Sequence, residues 1–261
     1  MKHDAIREAV RDRYGRIAEK ADEAKGSCCG PSCCGDTSET STSSAIGYND
    51  EQLGQIPEGA DLGLGSGNPV SHAALQEGET VLDLGSGGGI DSFLASEKVG
   101  PGGRLIGVDM TPEMVTRARA NARKGGYTNV DFRLGEIESL PVADATVDVI
   151  ISNCVLNLSP ERDRVLAEAL RVLRPGGRLV ISDLVCDVPI PTQLREKAEA
   201  VTACLPVERE DYERQLRTAG FVDVRISGGQ RIATEERELA ASVDSFADSV
   251  RGVIIEGRRA D

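Results

Sequence analysis

The stretch Thr80-Val81-Leu82-Asp83-Leu84-Gly85-Ser86-Gly87-Gly88-Gly89 constrains the fold more than any other part of this chain. A short aliphatic run reads as a buried strand, and it breaks into glycines before a helical segment, Asp91 to Lys98. Strand, glycine turn and helix open a βαβ unit whose backbone can approach a ligand closely. A second aliphatic run, Arg104-Leu105-Ile106-Gly107-Val108-Asp109, ends in an acid about 20 residues on, where a carboxylate accepts both hydroxyls of a ribose.

The glycines read G-x-G-x-G with Asp83 just before them, not the G-x-G-x-x-G of a nicotinamide site. This resembles motif I of the class I S-adenosylmethionine-dependent methyltransferases. Their cofactor has no pyrophosphate to seat on a helix N-terminus, and its amino-acid end is zwitterionic.

The rest of the chain alternates in the same way. Strands are expected near 79–84, 104–109, 130–134, 147–152 and 178–183, with helices at 91–98, 112–124 and 161–173 between them. Beyond them, helices near 192–203, 208–219 and 235–245 and strands near 222–226 and Val250 to Glu256 are expected. Such alternation implies a parallel sheet with right-handed crossovers and a ligand beyond the carboxyl ends of its strands. Pro69 is expected to start a short helix to about Leu75. The whole reads as an α/β protein with a Rossmann-like, doubly wound sheet of the class I methyltransferase type, mostly parallel with one antiparallel strand. An N-terminal helix-and-loop extension (1–67), a cofactor-binding domain (68–185) and a C-terminal α/β part (186–261) divide it.

Composition removes several classes of function. A net charge of −13 with no basic cluster argues against a nucleic-acid partner and an anionic membrane surface. No apolar run reaches bilayer length. The N-terminus carries alternating charges rather than an apolar signal core, and seven cysteines with two vicinal pairs do not form a secreted disulfide framework. A reduced, cytoplasmic, monomeric protein is expected. Residues 4–24 space Ile6, Val10, Tyr14 and Ile17 on one helical face, either as a cap over the later domain or as a plain surface helix.

The Gly/Ser/Pro-rich segment 26–45 carries Cys28, Cys29, Cys33 and Cys34. Soft metalloids and metals prefer thiolate. The spacing is not that of a zinc ribbon, so a thiol tether or an incidental loop are the two readings. Asp83, Gly85, Ser86, Gly87, Asp109, Met110, Glu136 and Asn153 fall at or near strand ends and are the candidate cofactor contacts. Glu136 takes the position after strand three where methyltransferases commonly recognise adenine. Cys154 directly follows strand four, where donor meets acceptor in this architecture, and Cys204 lies in the helical insertion after strand five. Cys186 reads equally as a core or a site residue.

Five segments carry a closer resemblance: Cys28-Cys29-Gly30-Pro31-Ser32-Cys33-Cys34-Gly35, Leu62-Gly63-Leu64-Gly65-Ser66-Gly67-Asn68-Pro69, Val81 to Gly87, Gly107 to Thr111 and Ile151 to Leu158. Together they resemble the arsenite S-adenosylmethionine methyltransferases of prokaryotes. The resemblance implies that Cys154 and Cys204 are two of three arsenic ligands. The third family position, a cysteine in the Gly-Leu-Gly-Cys-Gly-Asn-Pro loop, is Ser66 here, a hard hydroxyl in place of a soft thiolate. Cys186, a residue of the Cys28–Cys34 strap or bound glutathione are the candidate substitutes.

The mechanism so implied uses arsenic's lone pair as nucleophile on the sulfonium methyl, with arsenite or its thiol conjugates as substrate. No proton leaves the acceptor, so no general base is required. A thiol reductant of the glutathione or thioredoxin type then returns arsenic to the trivalent state. Two rivals stand beside this reading: methylation of an organic small molecule such as a quinol, and a non-catalytic, thiol-rich metalloid binder.

Overall fold

The structure, a computed structural model of the chain, describes residues 3–26, 42–195, 204–230 and 246–261. The expected helix at 235–245, most of that at 192–203, and the four cysteines Cys28, Cys29, Cys33 and Cys34 lie outside the described residues.

One mixed sheet forms the centre. Its strands are β1 (Thr80–Leu84), β2 (Arg104–Asp109), β3 (Val130–Leu134), β4 (Val147–Asn153), β5 (Leu173–Cys186), β6 (Val207–Glu208), β7 (Phe221–Gln230) and β8 (Val250–Arg259). The order is β3-β2-β1-β4-β5-β8-β7, with the two-residue β6 pairing beside β5. Pairing is parallel from β3 through β5, and β8 runs antiparallel to both β5 and β7, the single reversed strand expected. The chain order turns back between β1 and β4, so a cleft opens at the carboxyl ends of these two strands.

The central strands read as continuous apolar runs because both faces are covered. Alternate residues go to opposite layers. Leu82, Leu84, Ile106, Val108 and Ile150 join Val165 and Leu166 of α6 (Arg162–Val172) and Tyr212 and Leu216 of α8 (Arg209–Ala219). Val81, Leu105, Val149 and Ile151 face Leu94, Ala95 and Val99 of α4 (Ile90–Val99), together with Tyr48 and Val70. α5 (Pro112–Gly125) begins with proline at its first position and an acid, Glu113, in its first turn.

The N-terminal helix α1 (His3–Gly26) docks on α5, burying Val10 and Ala18, and Arg117 donates from Nη2 to the Ala18 carbonyl at 2.6 Å. The segment before β1 holds two short helices that the periodicity did not reveal, α2 (Thr42–Ala45) and α3 (Asp50–Gln55). Residues Pro69–Ser71 form a single 3-10 turn, not a helix to Leu75. Asn68 accepts from the Ser71 N–H and starts this turn, and residues 72–79 connect it to β1. A further four-residue helix, α7 (Thr192–Arg195), follows β5.

Candidate active site

The turn between β1 and α4 is tied to β2 before it meets any ligand. Gly85 N–H and Ser86 N–H both donate to the Val108 carbonyl, at 2.7 and 3.1 Å. Gly85 has φ +70°, and a Cβ there would lie 2.4 Å from a Val155 methyl, so a side chain is excluded by space as well as by backbone. Gly87 N–H donates to Asp109 Oδ2 at 2.9 Å, and Thr111 N–H donates to Oδ1 at 2.8 Å. The Asp109 carboxylate at the end of β2 is thereby fixed in orientation.

Two buried acids lie beside this turn. Asp83 accepts from Ser92 Oγ at 2.6 Å, and Asp91 accepts from Tyr48 OH at 2.7 Å and Asn153 Nδ2 at 3.1 Å. Burial pushes the Asp83 carboxyl well above the usual carboxylate range, and the neighbouring Asp91 charge adds to this. Burial raises Asp91 to about 6, opposed by the hydrogen bonds from Tyr48 and Asn153. Burial also raises Asp109, against the two backbone donors that hold it. A cation bound beside these carboxyls favours their ionised forms, which burial alone disfavours. The Ser86 hydroxyl, buried, has no hydrogen-bond partner among the described residues. An anchored ribose-type carboxylate, buried acids and an open donor together fit S-adenosylmethionine.

The second glycine loop closes on the end of β4. Ser66 N–H donates to Asn153 Oδ1 at 2.9 Å, and Asn153 Nδ2 donates to the Gly67 carbonyl at 2.7 Å. A Cβ on Gly65 would fall 2.8 Å from the Asn153 amide, so the loop sits against that side chain. The Ser66 hydroxyl lies 3.2 Å from that of Ser182 on β5.

Cys154 directly follows β4, and its N–H donates to the Ser182 carbonyl at 2.8 Å. Its sulfur lies 2.7 Å from that of Cys204. Cys204 Sγ in turn lies 3.5 Å from Asp183 Oδ1, and all three donor atoms fall within 4.8 Å of one another. Asp183 is fully buried in β5, accepts from its Leu184 N–H at 2.9 Å and from Tyr212 OH at 3.3 Å, and is pushed by burial to about 6. Cys186, the last residue of β5, belongs to a different cluster with Leu194 and Phe246. Among the described residues the cluster of donor atoms close enough to share one ion contains Cys154, Asp183 and Cys204, and Cys186 is not part of it.

Glu136 and Met110 lie under α1. Arg11 reaches Glu136 Oε1 at 3.2 Å and donates to the Met110 carbonyl at 3.3 Å. Arg7 pairs with Glu138 at 3.4 Å and with Glu161. The helix docks on α5, which both sequence readings of it allow. Tyr48, Asp91, Asp183 and Tyr212 were not singled out from the sequence. Asp183 did carry a signal there, an acid inside the apolar run Leu179-Val180-Ile181-Ser182-Asp183-Leu184-Val185.

A glycine turn after β1, an anchored acid ending β2 and a switch point between β1 and β4 define a methyltransferase domain of the class I type. The family model described as a methyltransferase domain matches residues 75–234. The arsenite methyltransferase of Halobacterium salinarum is 48% identical over 235 residues, which are 86% of this chain and 59% of that protein. That of Aquipseudomonas alcaligenes is 38% identical over 90% of this chain and 67% of its own length. The solved structure of an arsenic(III) S-adenosylmethionine methyltransferase from Chlamydomonas reinhardtii superposes with a TM-score of 0.66 at 35% identity, covering 84% of this chain and 73% of that one. This chain belongs to the arsenite methyltransferase family. It spans 59% of the length of the Halobacterium relative.

Proposed function

We propose that this protein transfers methyl groups from S-adenosylmethionine to trivalent arsenic held by Cys154 and Cys204. The observation that carries the reading is the meeting of these two sulfurs, 2.7 Å apart, where β4 ends. Two soft donors on neighbouring walls of one cleft suit a soft metalloid, and an organic methyl acceptor leaves that pairing without a purpose. The family to which the chain belongs agrees with it.

Bound S-adenosylmethionine supplies an electrophilic methyl on a sulfonium. The chain's own residues do the rest. Asp109, oriented by Gly87 and Thr111, would hold the ribose hydroxyls. Asp83, Asp91 and Asn153 would hold the cationic amino-acid end, with Ser86 as donor to its carboxylate. Glu136, braced by Arg11, would take the adenine edge beside Met110.

Arsenite enters by exchange: each cysteine S–H gives its proton to a departing arsenic hydroxyl, which leaves as water. The arsenic lone pair then takes the methyl. No proton is lost from the acceptor, so alignment rather than base catalysis carries the step. His3 lies on α1 beside Glu161, and His72 is exposed; neither touches the cysteine pair. Arsenic becomes pentavalent, and two thiols forming a disulfide return the electron pair, with an external thiol reductant reopening it.

The test is turnover of arsenite with S-adenosylmethionine and a dithiol, with products read by mass spectrometry. Cys154→Ser and Cys204→Ser are expected to abolish methylated arsenic while S-adenosylmethionine still binds. Unchanged turnover in Cys154→Ser would end this reading.

A further inference from the structure

Trivalent arsenic has three exchangeable positions, and the cysteine pair takes two. In balanced form, As(OH)3 and two R–SH give As(SR)2OH and two waters, with no change of oxidation state. One hydroxyl stays on arsenic and needs a partner in a buried site. Ser66, at the loop position, already has its hydroxyl beside that of Ser182.

Resting on the function proposed above, we propose that Asp183 accepts the hydrogen bond of this remaining arsenic hydroxyl and so fixes the metalloid's third position. Asp183 Oδ1 lies 3.5 Å from Cys204 Sγ, within the same group of donor atoms as Cys154 Sγ. The carboxylate is held on both oxygens, by Leu184 N–H on Oδ1 and Tyr212 OH on Oδ2. A carboxylate has about four acceptor positions. The Cys204 thiol has two acceptors in reach, the Cys154 carbonyl at 3.4 Å and Asp183 Oδ1 at 3.5 Å, and it loses its one proton when it bonds arsenic. The acceptor position on Oδ1 that faces Cys204 is the one that the arsenic hydroxyl takes.

This arrangement distinguishes substrates by the number of hydroxyls they bring. Arsenite keeps one hydroxyl after two exchanges. Methylarsonous acid, CH3As(OH)2, spends both on the cysteines and has none left for Asp183. Asp183 therefore acts as a positioning residue for the first methylation and is silent in the second.

The experiment compares the binding of arsenite and of methylarsonous acid to the full chain and to Asp183→Asn by titration calorimetry, with no methyl donor present. Asp183→Asn is expected to weaken arsenite about tenfold, the size of one lost hydrogen bond to a charged group, and to leave methylarsonous acid within about twofold by the same scale. Equal weakening of both would mean that Asp183 only supports Cys204, and no weakening of arsenite would mean that it has no part; either overturns the proposal. Arsenic X-ray absorption on the unmodified protein needs no variant. Two sulfurs and one oxygen around arsenic are expected, and three sulfurs overturn the proposal. If arsenite binds Cys154→Ser as well as it binds the parent chain, the failure belongs to the arsenic-site reading itself, not to Asp183.

Discussion

Cys154 and Cys204 are 50 positions apart in sequence, yet their sulfurs lie 2.7 Å apart and both residues hold left-handed backbone, at φ +57° and +58°. That conformation costs a non-glycine residue about 1–2 kcal/mol, and strain of this kind collects where a side chain must be presented in one direction. The usual order of substitutions should therefore invert. Cys154→Gly is expected to be more stable than Cys154→Ala by about 1 kcal/mol, because both lose the sulfur and only glycine relieves the backbone. Urea unfolding of the two variants measures the difference; alanine as the more stable of the two would show that the backbone there is unstrained.

The same logic separates two glycines of similar φ. Gly85→Ala places a methyl 2.4 Å from Val155, in a turn pinned to Val108, whereas Gly126→Ala, also at φ +70°, meets open space. Gly126→Ala is expected to cost about 1 kcal/mol, the backbone contribution alone. Gly85→Ala adds about 1–3 kcal/mol of overpacking and displaces Val155, next to Cys154. Thermal unfolding together with S-adenosylmethionine binding should rank Gly85→Ala as much the more damaging in both readouts.

The site divides by how local its causes are. Asp83, Gly85, Gly87 and Asp109 were legible because strand, turn, helix and strand follow one another within thirty or so residues and each step has a composition of its own. The single reversed strand came with the resemblance to class I methyltransferases and not from the apolar pattern, which carries no strand direction; β8 inserts between β5 and β7. Asp91 and Tyr48 were not: the acid reads as an ordinary first-turn residue of α4, and only the fold brings Tyr48 OH to it. The meeting of Cys154 with Cys204 cannot be derived from their spacing; a resemblance suggested it, and packing around β5 produces it. α3 did have a local signal that went unread, the Asn49 and Gln52 capping box. The 3-10 turn at Pro69 was read too long because proline marks where a helix starts and says nothing about where it stops.

Arg7 and Arg11 dock α1 by different means. Arg11 and Glu136 are both about two-fifths exposed, at 41% and 42%, and such a pair is worth roughly 0–1 kcal/mol. Arg7 is 11% exposed and faces Glu138, which is 4% exposed. Removing it leaves a buried carboxylate with Ser159 Oγ as its remaining donor among the described residues. Arg7→Ala is therefore expected to destabilise the protein by about 2–3 kcal/mol, below the cost of breaking a fully buried pair, and Arg11→Ala by less than about 1. Amide exchange along α1 gives a second measure: protection should fall in Arg7→Ala and persist in Arg11→Ala. Equal behaviour would mean that apolar contact at Val10 and Ala18, not charge, seats the helix.

Asp91 makes the cofactor site sensitive to pH, and the sign follows from its raised pKa. Burial lifts the carboxyl to about 6, so between the usual carboxylate range and pH 6 the folded chain holds a proton that the unfolded chain has lost. Its contribution to stability is therefore fully present below the unfolded pKa and is lost as pH rises through 6. Above pH 6 Asp91 is ionised beside Asp83 with Tyr48 and Asn153 as its donors among the described residues. A cationic ligand end favours that ionised form. S-adenosylmethionine binding is expected to expel protons near pH 6, and affinity to rise about tenfold from pH 5 to pH 7 before levelling, as one titrating group with that pKa requires. Calorimetry in two buffers of different ionisation enthalpy counts the protons, and Asp91→Asn should flatten the profile. Proton uptake instead of release, or an unchanged profile in Asp91→Asn, would show that the cation does not lie against this pair of acids.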